Sequence, residues 1–155
     1  MLKWLWLSAL VIVLDQFSKY LISGSMQLWQ SIEVAPFFNL TLLHNTGAAF
    51  SFLSGAGGWQ RWFFTLVALA VSAVIILWLK RLPTTDKWQA AALSLILGGA
   101  LGNVIDRVRF GYVVDFLDFH YRQWHWPAFN VADSAITAGV AVLAVVILGE
   151  SKRPA

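Results

Sequence analysis

Apolar residues in this chain run in four long blocks separated by polar stretches. The first extends from Trp4 to Ile22, uncharged as far as Leu14 and then interrupted by Asp15, Gln16, Ser18 and Lys19. The second, Trp62 to Leu79, is eighteen residues without a charge and stops at Lys80-Arg81-Leu82-Pro83. The third runs from about Ala90 to Ile105 with Gly98, Gly99 and Gly102 inside it, and the fourth from Val131 to Gly149, closed by Glu150, Lys152 and Arg153. A helix needs roughly 17–25 predominantly apolar residues to cross a bilayer. The pattern therefore predicts four spans, about 4–22, 62–79, 90–105 and 131–149, the third a little short. Gly98 and Gly102 stand four apart, a spacing that lets two helix backbones approach closely.

The pattern changes period between the blocks. In APFFNLTLLHNTGAAFS, Phe38, Leu40 and Leu42 alternate with Asn39 and Thr41, and a period of two predicts a half-buried strand lying on the membrane rather than through it. GYVVDFLDF, from Gly111, is a second strand-like stretch, and Gly47, Gly55, Gly57 and Gly58 mark loop. Ser23-Gly24-Ser25 resembles the small-residue site that follows a secretory leader. The first block is long enough to cross and three more follow, so a retained first helix is expected.

Composition agrees with the blocks. Hydrophobic residues make up 59% and charged residues 12%, against roughly 25% charged in a soluble domain, and a single integral membrane domain over residues 1–155 is expected. A net charge of +3 on scattered sites does not suit nucleic acid. With no cysteine there is neither a thiol nucleophile nor a Cys-ligated metal. Many of the nine Trp and eleven Phe flank the apolar blocks, as interfacial belts do. Orientation follows from Lys and Arg. With both termini cytoplasmic, Lys3, Lys80, Arg81, Lys87, Lys152 and Arg153 lie inside, and the two long polar segments lie outside.

Charge changes the picture most between Gly102 and Asp133. That stretch holds Asp106, Asp115, Asp118 and Asp133, half of the eight acidic residues, and charge at membrane depth is costly enough to mark function. Asp133 falls just inside the fourth helix, where the helix dipole favours a carboxylate. Two readings stand. Asp115 and Asp133 form a carboxylate pair that shares one proton and activates water, or they are a helix-start charge and an Arg-paired strand residue. Asn103 and Arg107 share a helix face and either orient such a pair or close the helix, with Asp106 and Arg107 solvated. Asp15 and Lys19, also four apart, form an internal ion pair with Lys19 reaching outward, or contact a headgroup or support the site. His44, His120 and His125 read as interfacial, since His120 and His125 lie five apart beside Asp118 with no further ligand in view and with Trp and Tyr on their flanks. A transporter would show internal repeats, and none is visible. A scaffold would not need acids in two outward segments.

Four blocks in order, DQFSK (15–19), NTGAAFS (45–51), GNVIDRVRFGYVVDF (102–116) and FNVADS (129–134), resemble the bacterial lipoprotein signal peptidases (signal peptidase II). The resemblance implies an aspartic endopeptidase of the bacterial inner membrane, working at the periplasmic face without a cofactor or metal. It implies that signal peptides are cut from diacylglyceryl-modified prolipoproteins just before the lipidated lipobox cysteine. By position the catalytic pair falls on Asp115 and Asp133. Asn45, Asn103, Arg107, Asn130 and Ala132 fall on pocket-lining positions, with Asp15 and Lys19 in support. The implied fold is a mainly α four-helix membrane bundle with a small periplasmic β-cradle, matching 36–43 and 111–119, and an amphipathic periplasmic helix. The tract around 50–60 becomes a lid. A monomer among membrane lipids is expected.

Overall fold

The computed structural model describes residues 1–47 and 57–150, and of Glu150 the backbone only. After a 3₁₀ turn at Leu2–Trp4, the chain forms α1 (Leu5–Ser25), a hairpin of β1 (Ser31–Ala35) and β2 (Phe38–Asn45), α2 (Trp59–Arg81), α3 (Lys87–Phe110), β3 (Val113–Tyr121), β4 (Trp124–His125) and α4 (Val131–Glu150). Among the described residues four helices are long and apolar enough to cross a membrane. Their outer faces leave Val13, Phe17, Leu66, Val74, Val145 and Leu148 exposed, which is the surface that lipid rather than water covers.

Every helix outruns the apolar block that predicts it, because hydropathy marks the hydrocarbon-facing part while hydrogen bonding continues. The third span shows this most: α3 is 24 residues, not sixteen, and carries Asp106 and Arg107 within it. It ends where Gly111 takes a left-handed φ of 87° and its N–H bonds Arg107 O at 3.1 Å, the turn that glycine makes without strain. The chain then passes directly into β3.

α3 is the spine, packed against α1, α2 and α4. A Cβ on Gly99 would collide with the Ala132 carbonyl of α4, and one on Gly102 would stand 2.7 Å from Asp15 Oδ2 of α1. Two helices thus approach α3 through its glycines. At one end Ile75, Leu79, Leu82, Ala90, Leu93 and Leu97 form an apolar core that Met1 and Trp4 close.

The other end carries an antiparallel sheet ordered β1-β2-β3-β4. Its inner side packs Leu42, Val114 and Phe116 on Met26 at the end of α1. β2 covers Phe38–Asn45 instead of 36–43, and the alternation breaks at a register shift between Leu40 and Leu43. β1 carried no comparable periodic signal and is mostly exposed. The lid expected around 50–60 lies largely outside the described residues, and among the described elements no amphipathic helix stands beside the four long ones. Of that tract Gly57 and Gly58 form the turn before α2.

Candidate active site

α3, β3 and α4 converge at the sheet end, and the polar residues of the bundle gather there. α4 begins with a reciprocal cap. The Asn130 Oδ1 accepts from Asp133 N–H at 2.9 Å, while Asp133 Oδ2 accepts from Asn130 N–H at 3.3 Å. Asn before the first turn and an acid three residues later is the pattern that satisfies free amides at a helix start. It turns the Asp133 side chain back towards β3.

Asp115 reaches the same place from β3, opposite Leu43 of β2. Its Oδ2 accepts from Asn45 Nδ2 at 3.0 Å and its Oδ1 from Asn130 Nδ2 at 2.7 Å. Asp133 Oδ1 accepts from Asn103 Nδ2 at 2.7 Å. No Lys or Arg forms an ion pair with either carboxylate among the described residues. Burial pushes the Asp115 carboxyl up to about 7, and the charge of Asp133 adds to that push. Hydrogen bonds from Asn45 and Asn130 and the charge of Lys19 oppose it. Burial favours the neutral acid because the ionised form loses its hydration.

Both carboxylates open into one groove of about 680 Å³. Asn45, Asn103 and Arg107 line it near the acids, and Trp126 to Phe129 form one wall. Ile136, Thr137, Ala138 and Ala141 continue it along α4. From Asp133 to Ala141 a helix rises about 12 Å, so the groove descends from the polar end into the apolar depth. Arg107 donates to the Gly47 carbonyl at 3.2 Å and lies 5.6 Å from the Phe64 ring centre.

Behind the carboxylates lies a buried cluster. Lys19, 4% exposed, bonds Asp15 at 2.9 Å, Asp106 at 2.8 Å and Asn103 Oδ1 at 3.0 Å. Asp15 Oδ1 accepts from the N–H of Ala132, next to Asp133, at 2.9 Å. Asp106 Oδ2 accepts from the N–H of Val114, next to Asp115, at 3.1 Å. Each acid flanking Lys19 thus grips the backbone beside one member of the aspartate pair.

Several sequence expectations change here. Lys19 turns inward rather than reaching to the interface, because three acceptors satisfy its three N–H groups. Asp106 is 1% exposed and not solvated beside Arg107. It and Gln16, which donates to Asp106 Oδ1 at 2.8 Å, belong to the site although the sequence reading leaves them out; Asp106 stands three residues from Asn103, on the same side of the helix, and that spacing is the available signal. Asn130 and Ala132 are fully buried and do not line the groove. Asn130 bridges the two acids, and Ala132 packs on Gly99 and Gly102. At the sheet edge His125 Nδ1 bonds Asp118 at 2.8 Å and stacks on His120. No three His, Asp or Glu side chains converge as a metal site among the described residues.

Fold and site together define a multi-pass membrane protein whose polar chemistry is gathered in a carboxylate-lined groove at one end of a helical bundle. The family model for signal peptidase (SPase) II matches residues 7–149. A lipoprotein signal peptidase of Alteromonas mediterranea is 60% identical over 93% of this chain and 79% of its own. One of Pseudomonas fluorescens is 56% identical over 93% of this chain and 86% of its own. A solved bacterial membrane enzyme superposes with a TM-score of 0.88 at 33% identity, over 98% of this chain and 91% of that one. The chain belongs to the signal peptidase II family, and it is a peptidase.

Proposed function

We propose that this protein removes signal peptides from diacylglyceryl-modified prolipoproteins, cutting just before the lipidated cysteine, with Asp115 and Asp133 as an aspartic pair. The relatives at 60% and 56% identity, both lipoprotein signal peptidases, support the substrate class. The observation that carries the mechanism is the pair's surroundings. Asp115, buried, and Asp133, half-buried, open into one groove, bonded by amides and, among the described residues, in ion pairs with no cation. Two such acids share a proton, since both cannot ionise cheaply in a low dielectric.

The ionised member takes a proton from a water as its oxygen attacks the scissile carbonyl carbon. The neutral member donates its proton to the carbonyl oxygen. Collapse of the resulting diol expels the amine of the new N-terminus, which takes one proton from the pair while a diol hydroxyl returns one as it becomes the new carboxyl group, and the starting state is restored. The sequence of steps requires neither a metal nor a covalent intermediate. Asp115, protonated up to about pH 7, suits the donor.

The remaining roles follow from position. Asn45, Asn103 and Asn130 hold the acids, and Ala132 lets α4 seat on α3. Asp15 and Lys19 brace the pair from behind, and Arg107 at the groove offers a donor to the substrate backbone. The signal peptide, itself a membrane helix, slides in from the lipid along the apolar wall of α4, and its acyl chains stay in the bilayer. The protein works as a monomer with both termini cytoplasmic and the groove at the periplasmic face.

The test is a gel-shift cleavage assay in nanodiscs, using one prolipoprotein with and without its diacylglyceryl group. Cleavage of the lipidated form alone is expected. Asp115→Asn and Asp133→Asn should each lower the rate by at least about 10³-fold with insertion intact. Substantial turnover in either variant would remove the pair from the mechanism.

A further inference from the structure

Three carboxamides face the aspartate pair, and each is turned by a group that can only donate. Asn45 Oδ1 accepts from Gly47 N–H at 3.0 Å, Asn130 Oδ1 from Asp133 N–H at 2.9 Å, and Asn103 Oδ1 from Lys19 Nζ at 3.0 Å. With the oxygens so engaged, the amide nitrogens meet the carboxylates. Asn45 and Asn130 donate to Asp115, and Asn103 donates to Asp133. A carboxamide has nearly the same shape either way round, so its neighbours decide which end faces an acid.

Two of the three orienting donors are backbone amides. The third is a side chain, Lys19. Asn130 Nδ2 also reaches Asn103 Oδ1, at 3.2 Å, but it serves Asp115 at 2.7 Å and the Val114 carbonyl at 3.2 Å with only two hydrogens. The ammonium bond is charge-assisted and unshared at that oxygen's other lone pair, so it dominates. Asp15 and Asp106 hold the ammonium in place from the two other directions.

We infer that Lys19 is a positioning residue for the aspartate pair: by occupying Asn103 Oδ1 it keeps the Asn103 amide nitrogen on Asp133, and so keeps Asp133 the ionised, proton-accepting member. The inference rests on the aspartic reading above and adds the assignment of base to Asp133 and acid to Asp115. Were Asn103 to flip, its carbonyl oxygen would face Asp133, which would then have to hold a proton and could not take one from water. The charged and titratable groups around this point are Asp15 and Lys19 on α1, Asp106 and Arg107 on α3, and Asp115 on β3.

The test compares Lys19→Met with Lys19→Gln in nanodiscs. Both remove the charge, and only Gln retains an N–H donor for Asn103. In Lys19→Met, kcat should fall about 10- to 100-fold, the effect of losing one hydrogen bond to a charged group, with KM little changed. The acid limb of its pH–rate profile should move to higher pH. Lys19→Gln should recover much of kcat and bring the limb part of the way back, the remainder reflecting the lost charge of Lys19, which also acts on the pair directly. A purely structural brace would instead lower both variants alike and move the limb equally in both, which overturns the inference, as would wild-type kinetics in Lys19→Met. Should Lys19→Met fail to fold, Asn103→Asp decides, because it keeps an acceptor for Lys19 while turning an oxygen to Asp133. Loss of kcat with the limb moved up supports the relay, and an unmoved limb overturns it. Failure of the wild-type protein to cleave any lipidated substrate would be a different result, directed at the peptidase reading and not at Lys19.

Discussion

Asp115 is held between opposing influences, and their balance sets a pH dependence. Its carboxyl ionises about 7 in the fold, against 3.8 for the unperturbed group. As proton donor it is competent below that value, so cleavage should fall about tenfold per pH unit above pH 7, read from kcat in a pH series. Stability carries the same sign. Between the two values the folded protein holds a proton that the unfolded chain has released, so stability decreases as pH rises through this window and levels off above about 7. Asp115→Asn removes the slope. Its melting temperature in detergent should gain on the wild type from pH 5 to pH 7 and stay level beyond, and parallel curves for the two proteins would contradict that account. The sequence made Asp115 and Asp133 conspicuous because charge is rare in this chain. It did not show that Asn45, Asn103 and Asn130 hold them, since asparagine on a helix end or strand has ordinary capping uses. Asp106 was misread for a related reason: hydropathy ends the span at Ile105, whereas α3 continues to Phe110 and places the acid in the interior.

At the level of elements, α3 decides where the two aspartates stand relative to each other. Its glycines bring α1 and α4 to backbone contact, and Ala132, which rests against Gly99, is adjacent to Asp133. The spacing of Gly98 and Gly102 revealed a close-packed face; that Gly99 opens a second face towards α4 was not readable, because four small residues within five positions fit several rotations of the helix. Gly99→Leu would drive a side chain into the Ala132 carbonyl. The expected cost is about 1–3 kcal/mol of overpacking, together with loss of cleavage as the start of α4 shifts. Gly24→Ala is the control. It stands in α1 with nothing within 4 Å of the added methyl, and should leave cleavage unchanged while stabilising by about 0.4–1 kcal/mol. Thermal unfolding and gel-shift cleavage of the two variants, side by side, check both statements. Equal activity in Gly99→Leu would show that α4 can move without disturbing the acids. The strands were legible only in part: β2 alternates over part of its length and β3 reads only as strand-like, buried over its first four residues, while β1 is exposed on most positions and carries no pattern.

Across the whole molecule the ordinary order of burial is reversed. Leu, Val and Phe face outward along the helices, and the charged cluster of Asp15, Lys19 and Asp106 is sealed inside at one end. An exterior of that kind is stable only in lipid, where no water competes for the backbone and every helical hydrogen bond is satisfied within its own segment. The threading then fixes sidedness up to one choice. The Met1 amine donates to the Leu79 carbonyl at 2.9 Å, tying the start of the chain to the end of α2. The turn at Pro83–Asp86 and the end of α4 border one cavity with the start of α3. The start of the chain and the end of α4, with Lys3, Lys80, Arg81 and Lys87, therefore lie opposite the sheet and the groove. Basic loops favour the cytoplasmic side, which supports the proposed periplasmic position of the sheet. The chain lacks cysteine, so single cysteines report position without background. Gln30→Cys, exposed beside the sheet, should react with a membrane-impermeant maleimide applied to intact spheroplasts, and Thr84→Cys, exposed between α2 and α3, only after the membrane is opened. The reverse pattern would put the aspartate pair on the cytoplasmic face, where a signal peptide threaded outward would present the wrong end of its helix to the groove.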